Sequence, residues 1–216
     1  MSFLNRLKNQ ALNSAQQAAN QVGNAAAGQV AGVIGAATGS ITQPGAASAS
    51  ANKSWIIVFT EIPQSLEHLR SLPEASLTEP YYAAALLIPA LCMWTVNQQE
   101  AQAMINYLKG PEALSVREIQ FINDRLRGKE YVPQSFFVGA VPQNNYEPSQ
   151  PYTLTISTNP YTFAEDGYAK LYMSSGGADS PRPVQMRLKP SSGEWFLWEQ
   201  MLLSDIRPPA ASNPWA

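Results

Sequence analysis

The residues able to do chemistry are few and lie far apart along the chain. There is one histidine, His68, and one cysteine, Cys92. His68 sits in "LEHLR", where the leucines predict the buried face of a helix and His68 faces water. Cys92 lies in the apolar stretch "IPALCMW", which favours a buried structural thiol, because a reactive thiol needs an electropositive and partly exposed site. These placements argue against a histidine- or cysteine-based catalytic centre and against a zinc site. We therefore assign no catalytic residue, no metal and no cofactor.

Carboxylate pairs and one glycine-rich stretch are the next candidates. Glu165 and Asp166 in "FAEDGY" are typical of a solvated turn rather than of two carboxylates held in unlike environments across a cleft. The stretch "SSGGADSPR" lacks the lysine and the spacing of a phosphate-binding loop, and Asp179 suits a turn. A ligand-binding hairpin tip at this stretch remains as the alternative.

The stretch "GEWFLWEQMLL", residues 193–203, resembles a site more than any other segment does. In an extended chain Trp195, Leu197 and Glu199 share one face, and the residues between them share the other. Both faces are strongly apolar, so we predict a core strand covered on both faces. If Glu199 is buried there it needs a partner, and Arg187 of the neighbouring strand is the candidate. The alternative is a ligand groove lined by Asp179, Arg182, Arg187, Trp195, Trp198 and Glu199.

The charge balance restricts the class of partner. The 14 Lys and Arg residues and the 16 Asp and Glu residues give a formal net charge of −2 and a pI near 5.5. Nucleic-acid binding usually requires a basic patch or a high pI. The nearest candidate, "DRLRGK" at residues 124–129, is typical of a solvated helix end. We therefore expect no nucleic-acid partner.

The N-terminal segment, residues 1–41, is of low complexity and rich in Ala, Gly and Gln. Residues 9–52 contain no charged side chain. With so few large apolar groups the segment cannot form a conventional core, so it is predicted to be either an amphipathic helix or disordered. Residues 42–53 are predicted to be a linker.

Two features of this segment indicate contact with a membrane surface or with further copies of the chain. An apolar anchor beside two basic residues resembles an interfacial helix and comprises Phe3, Leu4 and Leu7. Small residues four apart let helices approach closely, and they are Gly28, Gly32, Gly35 and Gly39. The competing interpretation of the glycine-rich part is a flexible linker.

Residues 54–216 are predicted to form an α+β domain. Strand-forming residues predict a first strand over 55–60, and apolar spacing predicts helices over 65–72, 79–93, 97–110 and from Ser115 to Gly128. The later pattern has period two, in "QSFFVGA", "PYTLTIS", "GYAKLYMSS", "VQMRLKP" and "EWFLWEQML". Helices first and strands second predict a helical first half packed on a C-terminal antiparallel sheet of about five strands.

Helix-capping residues support the predicted helix boundaries. Thr78 is placed to cap the helix that begins near Pro80, since proline is tolerated in a first turn. Ser115 and Glu118 have the spacing of a capping box. The buried stripe of that second helix is predicted to comprise Val116, Ile119, Ile122 and Leu126.

Several of these stretches carry a resemblance. The segments "YAKLYMSSGGADSPR" and "WFLWEQ", together with "INYLKGPEALSVREIQFINDRLRGKEYVPQSFFVGA", are similar to an uncharacterised bacterial domain family of unknown function. The resemblance covers about residues 56–216. It implies a bacterial origin and an accessory domain, and it supplies no catalytic residues to carry over.

Taken together, these features favour a non-enzymatic interaction module with a protein partner. We expect the protein to be cytoplasmic. Residues 1–41 are expected either to hold it at the periphery of a membrane or to join copies of the chain into a homo-oligomer. The alternative is a small-molecule-binding protein or enzyme with a pocket between the helices and the sheet.

Overall fold

The computed structural model describes residues 52–212 as an α+β fold with helices on one face of a five-stranded antiparallel sheet. The predictions for residues 1–41 and for most of the linker at 42–53 fall outside the described residues. The strands are β1 (Ser54–Phe59), β2 (Tyr152–Ser157), β3 (Tyr168–Met173), β4 (Arg182–Lys189) and β5 (Glu194–Gln200). The α-helices are α1 (Leu66–Ser71), α2 (Pro80–Trp94), α3 (Gln98–Lys109), α4 (Val116–Leu126) and α5 (Tyr131–Gln134).

The sheet follows chain order, β1-β2-β3-β4-β5, with every neighbouring pair antiparallel. Strand β2 has the strict alternation of a sheet with one covered face, since Tyr152, Leu154 and Ile156 are buried and the residues between them are half-buried. The predicted fold class is therefore confirmed, and β1 and β5 form the two edges of the sheet.

One of the five strands is not the one predicted from the sequence. The prediction that "QSFFVGA" forms a strand is wrong, because Ser135 N–H donates to the Tyr131 carbonyl and continues the turn of α5. Of this stretch only Phe137 bridges to Leu154 of β2. The fifth strand of the sheet is β1 instead of "QSFFVGA", and it pairs with β2 along its whole length.

Helix α2 is the centre of the core. It packs against four of the strands and against α3, and nearly all of its residues are buried. Pro80 occupies the first turn, but the N-cap is Glu79 and its side chain makes no capping hydrogen bond, so the predicted cap at Thr78 is wrong. Cys92 is buried, and burial raises the pKa of its thiol. None of the helices within residues 52–212 is both long and apolar enough to cross a membrane.

The helices that follow begin as their caps predict. The Asn97 side chain accepts from Glu100 N–H at the start of α3, and Gly110 ends that helix. Ser115 and Glu118 form the predicted capping box at the start of α4. Val116 is exposed, contrary to the predicted stripe, because the first turn of α4 extends past the core and burial begins with Ile122.

Candidate functional site

Strand β5 carries the site-like residues, and its register contains a bulge. Met186 lies opposite Leu197 and Gln185 lies opposite Glu199, so Trp198 is an extra residue in β5. Alternation is therefore interrupted after Leu197, and Glu199 is on the opposite face from Leu197. The prediction that these two residues share a face is wrong for this reason.

Strand β5 is also more open than predicted. Because β5 is an edge strand, Trp195, Phe196 and Trp198 are only half-buried and Glu199 is exposed. The prediction of a strand covered on both faces is wrong, since among the described residues the helices pack on one face of the sheet. Glu199 is solvated and needs no buried partner.

Arg187 makes aromatic contacts in place of the predicted ion pair with Glu199. It lies opposite Phe196 in the register. Its guanidinium carbon is 4.6 Å from the centre of the Trp198 ring and 5.6 Å from that of the Tyr168 ring. Each such exposed contact contributes about 0.5–1 kcal/mol. The three side chains form one cluster on the outer face of the sheet.

A groove of about 820 Å³ runs along β5 on its other side, between this strand, α4 and the α3–α4 connection. We call it the β5 groove. Its floor is apolar and contains Leu87, Leu91, Ile105, Ile122 and Leu197. One wall is the chain from 198 to 201, and the other comprises residues 112–115, 117 and 118 with Phe121. Among the described residues, the outer edge of β5 is hydrogen-bonded only at its start, where Trp195 N–H donates to the Leu77 carbonyl at 2.8 Å.

The wall opposite β5 is held in place by a partly buried ion pair. Lys109 Nζ lies 2.8 Å from Glu118 Oε1, and the lysine side chain is only 9% exposed. Glu118 Oε2 also accepts from Ser115 N–H at 2.8 Å. Partial burial acts to raise the pKa of Glu118, but the hydrogen bonds from Lys109 and Ser115 outweigh it and hold this pKa below its ordinary value. The Glu118 carboxylate therefore stays ionised at neutral pH, and its pair with Lys109 joins the end of α3 to the start of α4.

Gly110 allows this connection to approach β5 closely. Its φ is +66°, a conformation that side chains rarely adopt, and a Cβ there would overlap the ring of Phe196. Glycine is required here both by backbone conformation and by space.

A second cavity, of about 270 Å³, adjoins the β5 groove at Lys109, Glu112 and Trp198. Its lining adds two further cations, Arg187 and Lys189. The aromatic and cationic lining could hold a planar anionic group, because a ring stacks on Trp198 and a charge pairs with the cations.

The remaining predicted site residues lie elsewhere. Asp179 forms an ion pair with Arg207, and Arg182 donates to the Asp205 carbonyl at 2.7 Å. Arg182 is five residues from Arg187 along β4, about 17 Å at the usual rise of a strand. Trp195 is at the start of β5, with its ring 6.3 Å from that of Phe163. The structure thus brings together Arg187, Trp198 and Glu199 of the predicted set. The predicted N-terminal residues lie outside the described part of the chain: Phe3, Leu4, Leu7, Gly28, Gly32, Gly35 and Gly39.

Two groups of site residues were not predicted from the sequence. Lys109 has the sequence signal of a helix stop, and Glu118 that of a cap, so neither indicated a groove. The floor residues of α2 have the signal of a core helix.

His68 is half-buried, with Nε2 3.3 Å from Glu61 Oε1, rather than fully solvated. Among residues 52–212 no group of His, Cys, Asp and Glu side chains is arranged to hold a metal ion.

Comparison with known proteins identifies the family but not an activity. No curated protein and no solved structure is similar enough to the chain to count as a match. The family described as "Domain of unknown function (DUF6935)" matches residues 61–210. This range contains β2–β5, every α-helix of the described residues and the β5 groove, and it omits the N-terminal segment and β1. The chain therefore belongs to this family of unknown function.

Proposed function

We propose that residues 52–212 form a non-enzymatic interaction module that binds a segment of a partner protein in the β5 groove. The observation that supports this is the combination of an apolar floor with a strand edge along one wall. Grooves of this kind suit an extended or helical segment, because side chains enter the floor while the main chain runs along the wall.

The charges of the groove indicate the chemistry of that segment. Three carboxylates, Glu112, Glu118 and Glu199, and two cations, Lys109 and Arg117, line it. Glu118 is paired with Lys109, while Glu112 and Glu199 have no ion-pair partner among the described residues. An apolar segment that carries a lysine or arginine complements this surface best.

Selection of random twelve-residue peptides on the full chain tests the module. We expect enriched peptides to combine apolar residues with a basic residue, and Glu199→Lys to weaken their binding by tenfold or more. Phe121→Ser, in the groove wall, is expected to weaken binding as well. The control Phe163→Ser changes an exposed phenylalanine outside the groove and is not expected to weaken it. Failure to enrich any peptide, or equal binding by both phenylalanine variants, contradicts the proposal.

The N-terminal segment is proposed to attach this module to a membrane surface or to further copies of the chain. The support is its sequence pattern: an apolar anchor at Phe3, Leu4 and Leu7 followed by spaced glycines. A cytoplasmic protein at the membrane periphery fits this arrangement. Flotation of the full chain with phosphatidylglycerol–phosphatidylcholine vesicles is expected, and its loss on changing the three anchor residues to serine. A chain that neither floats nor self-associates would remove the attachment role.

A small-molecule site is the second candidate, because the 270 Å³ cavity has Arg187, Lys109 and Lys189 around Trp198. It predicts that a planar aromatic carboxylate raises the melting temperature of the full chain. Arg187→Gln should abolish that rise without changing the fold, since Arg187 is exposed. If no aromatic carboxylate or phosphate shifts the melting temperature, this candidate is rejected.

A further inference from the structure

Strand β1 has one paired edge and one open edge. Thr158 N–H donates to the Lys53 carbonyl at 2.9 Å, and Lys53 N–H donates to Thr158 Oγ1 at 3.1 Å, so the main chain of Lys53 faces β2. Backbone direction alternates along a strand. The N–H and C=O groups of Ser54, Ile56 and Val58 therefore face away from β2, where no strand of the described chain pairs with them.

This open edge lacks the features that usually prevent pairing with another chain. Edge strands are commonly protected by charged residues, proline, bulges or a covering element. Residues 54–59 contain no charge and no proline, and the register with β2 continues without a shift. Ile56 is 69% exposed and Val58 48% exposed, both on the face opposite the helices. Two exposed β-branched side chains thus lie beside main-chain groups with which no strand of residues 52–212 pairs.

We infer that β1 pairs antiparallel with β1 of a second copy of this chain, across a twofold axis at Ile57. In this register Ile56 of each copy lies opposite Val58 of the other, and both are residues whose main-chain groups face the open edge, as hydrogen-bonded pairs require. The two sheets become one continuous sheet, and four β-branched side chains form an apolar cluster on its outer face.

The charged residues at the two ends of β1 indicate that the strand pairing with its open edge belongs to a second copy of the chain. Lys53 precedes the strand and Glu61 follows it. Antiparallel pairing about Ile57 places Lys53 of one copy opposite Glu61 of the other, twice in the dimer. The strand is therefore complementary to itself in both its apolar residues and its charges. This interface lies at the edge of the sheet opposite the β5 groove.

Sedimentation velocity of the full chain over a concentration series tests the inference. We expect a dimer that dissociates on dilution, and at least a tenfold weaker dimer in Val58→Lys. The control Val138→Lys changes a residue of matching exposure, 49%, on the far side of β2 and should leave the dimer unchanged. Circular dichroism checks that each variant is folded. A wild-type chain that is monomeric at every concentration, or an undiminished Val58→Lys dimer, overturns the inference.

Charge exchange tests the register and separates this dimer from N-terminal self-association. Lys53→Glu and Glu61→Lys should each weaken the dimer, and the double variant should restore it. Because Glu61 also contacts His68, the melting temperatures of all three variants are compared. A double variant as weak as the single ones overturns the register. Changing Phe3, Leu4 and Leu7 to serine should leave the dimer intact, and its loss there would assign association to the N-terminal segment instead.

Discussion

The two edges of the sheet are built differently. At the β5 edge, a bulge interrupts the strand, Leu77 accepts a hydrogen bond from Trp195, and the α3–α4 connection packs beside it. At the β1 edge, the strand is regular and none of the described elements pairs with its outer side. An edge can be protected by tertiary structure, and the same structure then creates a groove beside it.

The difference predicts where stability resides. The β5 edge depends on Gly110, on the hydrogen bond from Trp195 N–H to the Leu77 carbonyl, and on the Lys109–Glu118 ion pair, which joins α3 to α4. The outer side of β1 makes no comparable contact within the described chain. Substitutions near β5 should therefore lower the free energy of unfolding, and those on the outer face of β1 should leave it almost unchanged.

The largest effect is expected for Gly110→Ala. The positive φ and the overlap with Phe196 act together, so we expect a loss of about 2–4 kcal/mol in the free energy of unfolding. Urea unfolding followed by tryptophan fluorescence measures it. The control is Gly128→Ala, where φ is +65° but no atom lies within 4 Å of the added Cβ, and where about 1 kcal/mol is expected. Equal losses at both positions would show that Phe196 does not restrict Gly110.

A smaller effect is expected where α4 is joined to α2. The Trp94 indole N–H donates to Asn123 Oδ1 at 2.8 Å, and Trp94 is buried. Asn123→Ala removes the acceptor and should cost about 1–2 kcal/mol in the free energy of unfolding. Gln98 donates to the same oxygen at 3.1 Å but is exposed, so Gln98→Ala should cost less than about 0.5 kcal/mol. If the two losses are equal, the indole hydrogen bond does not hold α4.

The ion pair of Lys109 and Glu118 predicts a dependence on pH. The folded-state pKa of Glu118 is below its ordinary value of 4.5, so its stabilising contribution is complete above that pH and is lost as the pH falls through the folded-state pKa. Glu118→Gln should therefore lower the free energy of unfolding at pH 7, by less than about 1 kcal/mol for a partly exposed pair, with the difference shrinking in acid.

Guanidinium unfolding of both proteins at several pH values measures this difference. The control is Asp124→Asn, since Asp124 forms an exposed ion pair with Arg127 at 3.8 Å and should contribute almost nothing at any pH. A difference between wild type and Glu118→Gln that stays constant down to acid pH would contradict the assigned role of the carboxylate.

Sequence patterns predicted the parts of this fold that depend on neighbouring residues. The capping box of Ser115 and Glu118 and the helix predicted over residues 97–110 were confirmed, because caps and helix faces depend on residues a few positions apart. The bulge at Trp198 was not predicted, since it depends on the register with β4, and the prediction that Leu197 and Glu199 share a face was wrong as a result. The groove was missed because its walls come from segments far apart in the chain.

The smallest effect is expected at the open edge, for Val58→Thr. At protein concentrations low enough to give a monomer, its free energy of unfolding should change by less than about 0.5 kcal/mol, because Val58 faces solvent. The same substitution at buried Val184 of β4 should cost about 1–3 kcal/mol, since it places a hydroxyl in the core. Thermal unfolding of both variants measures the contrast. A loss at Val58 as large as that at Val184 would mean that this face of β1 is covered within the monomer. The β1 edge would then be protected like the β5 edge, and two copies could not pair there.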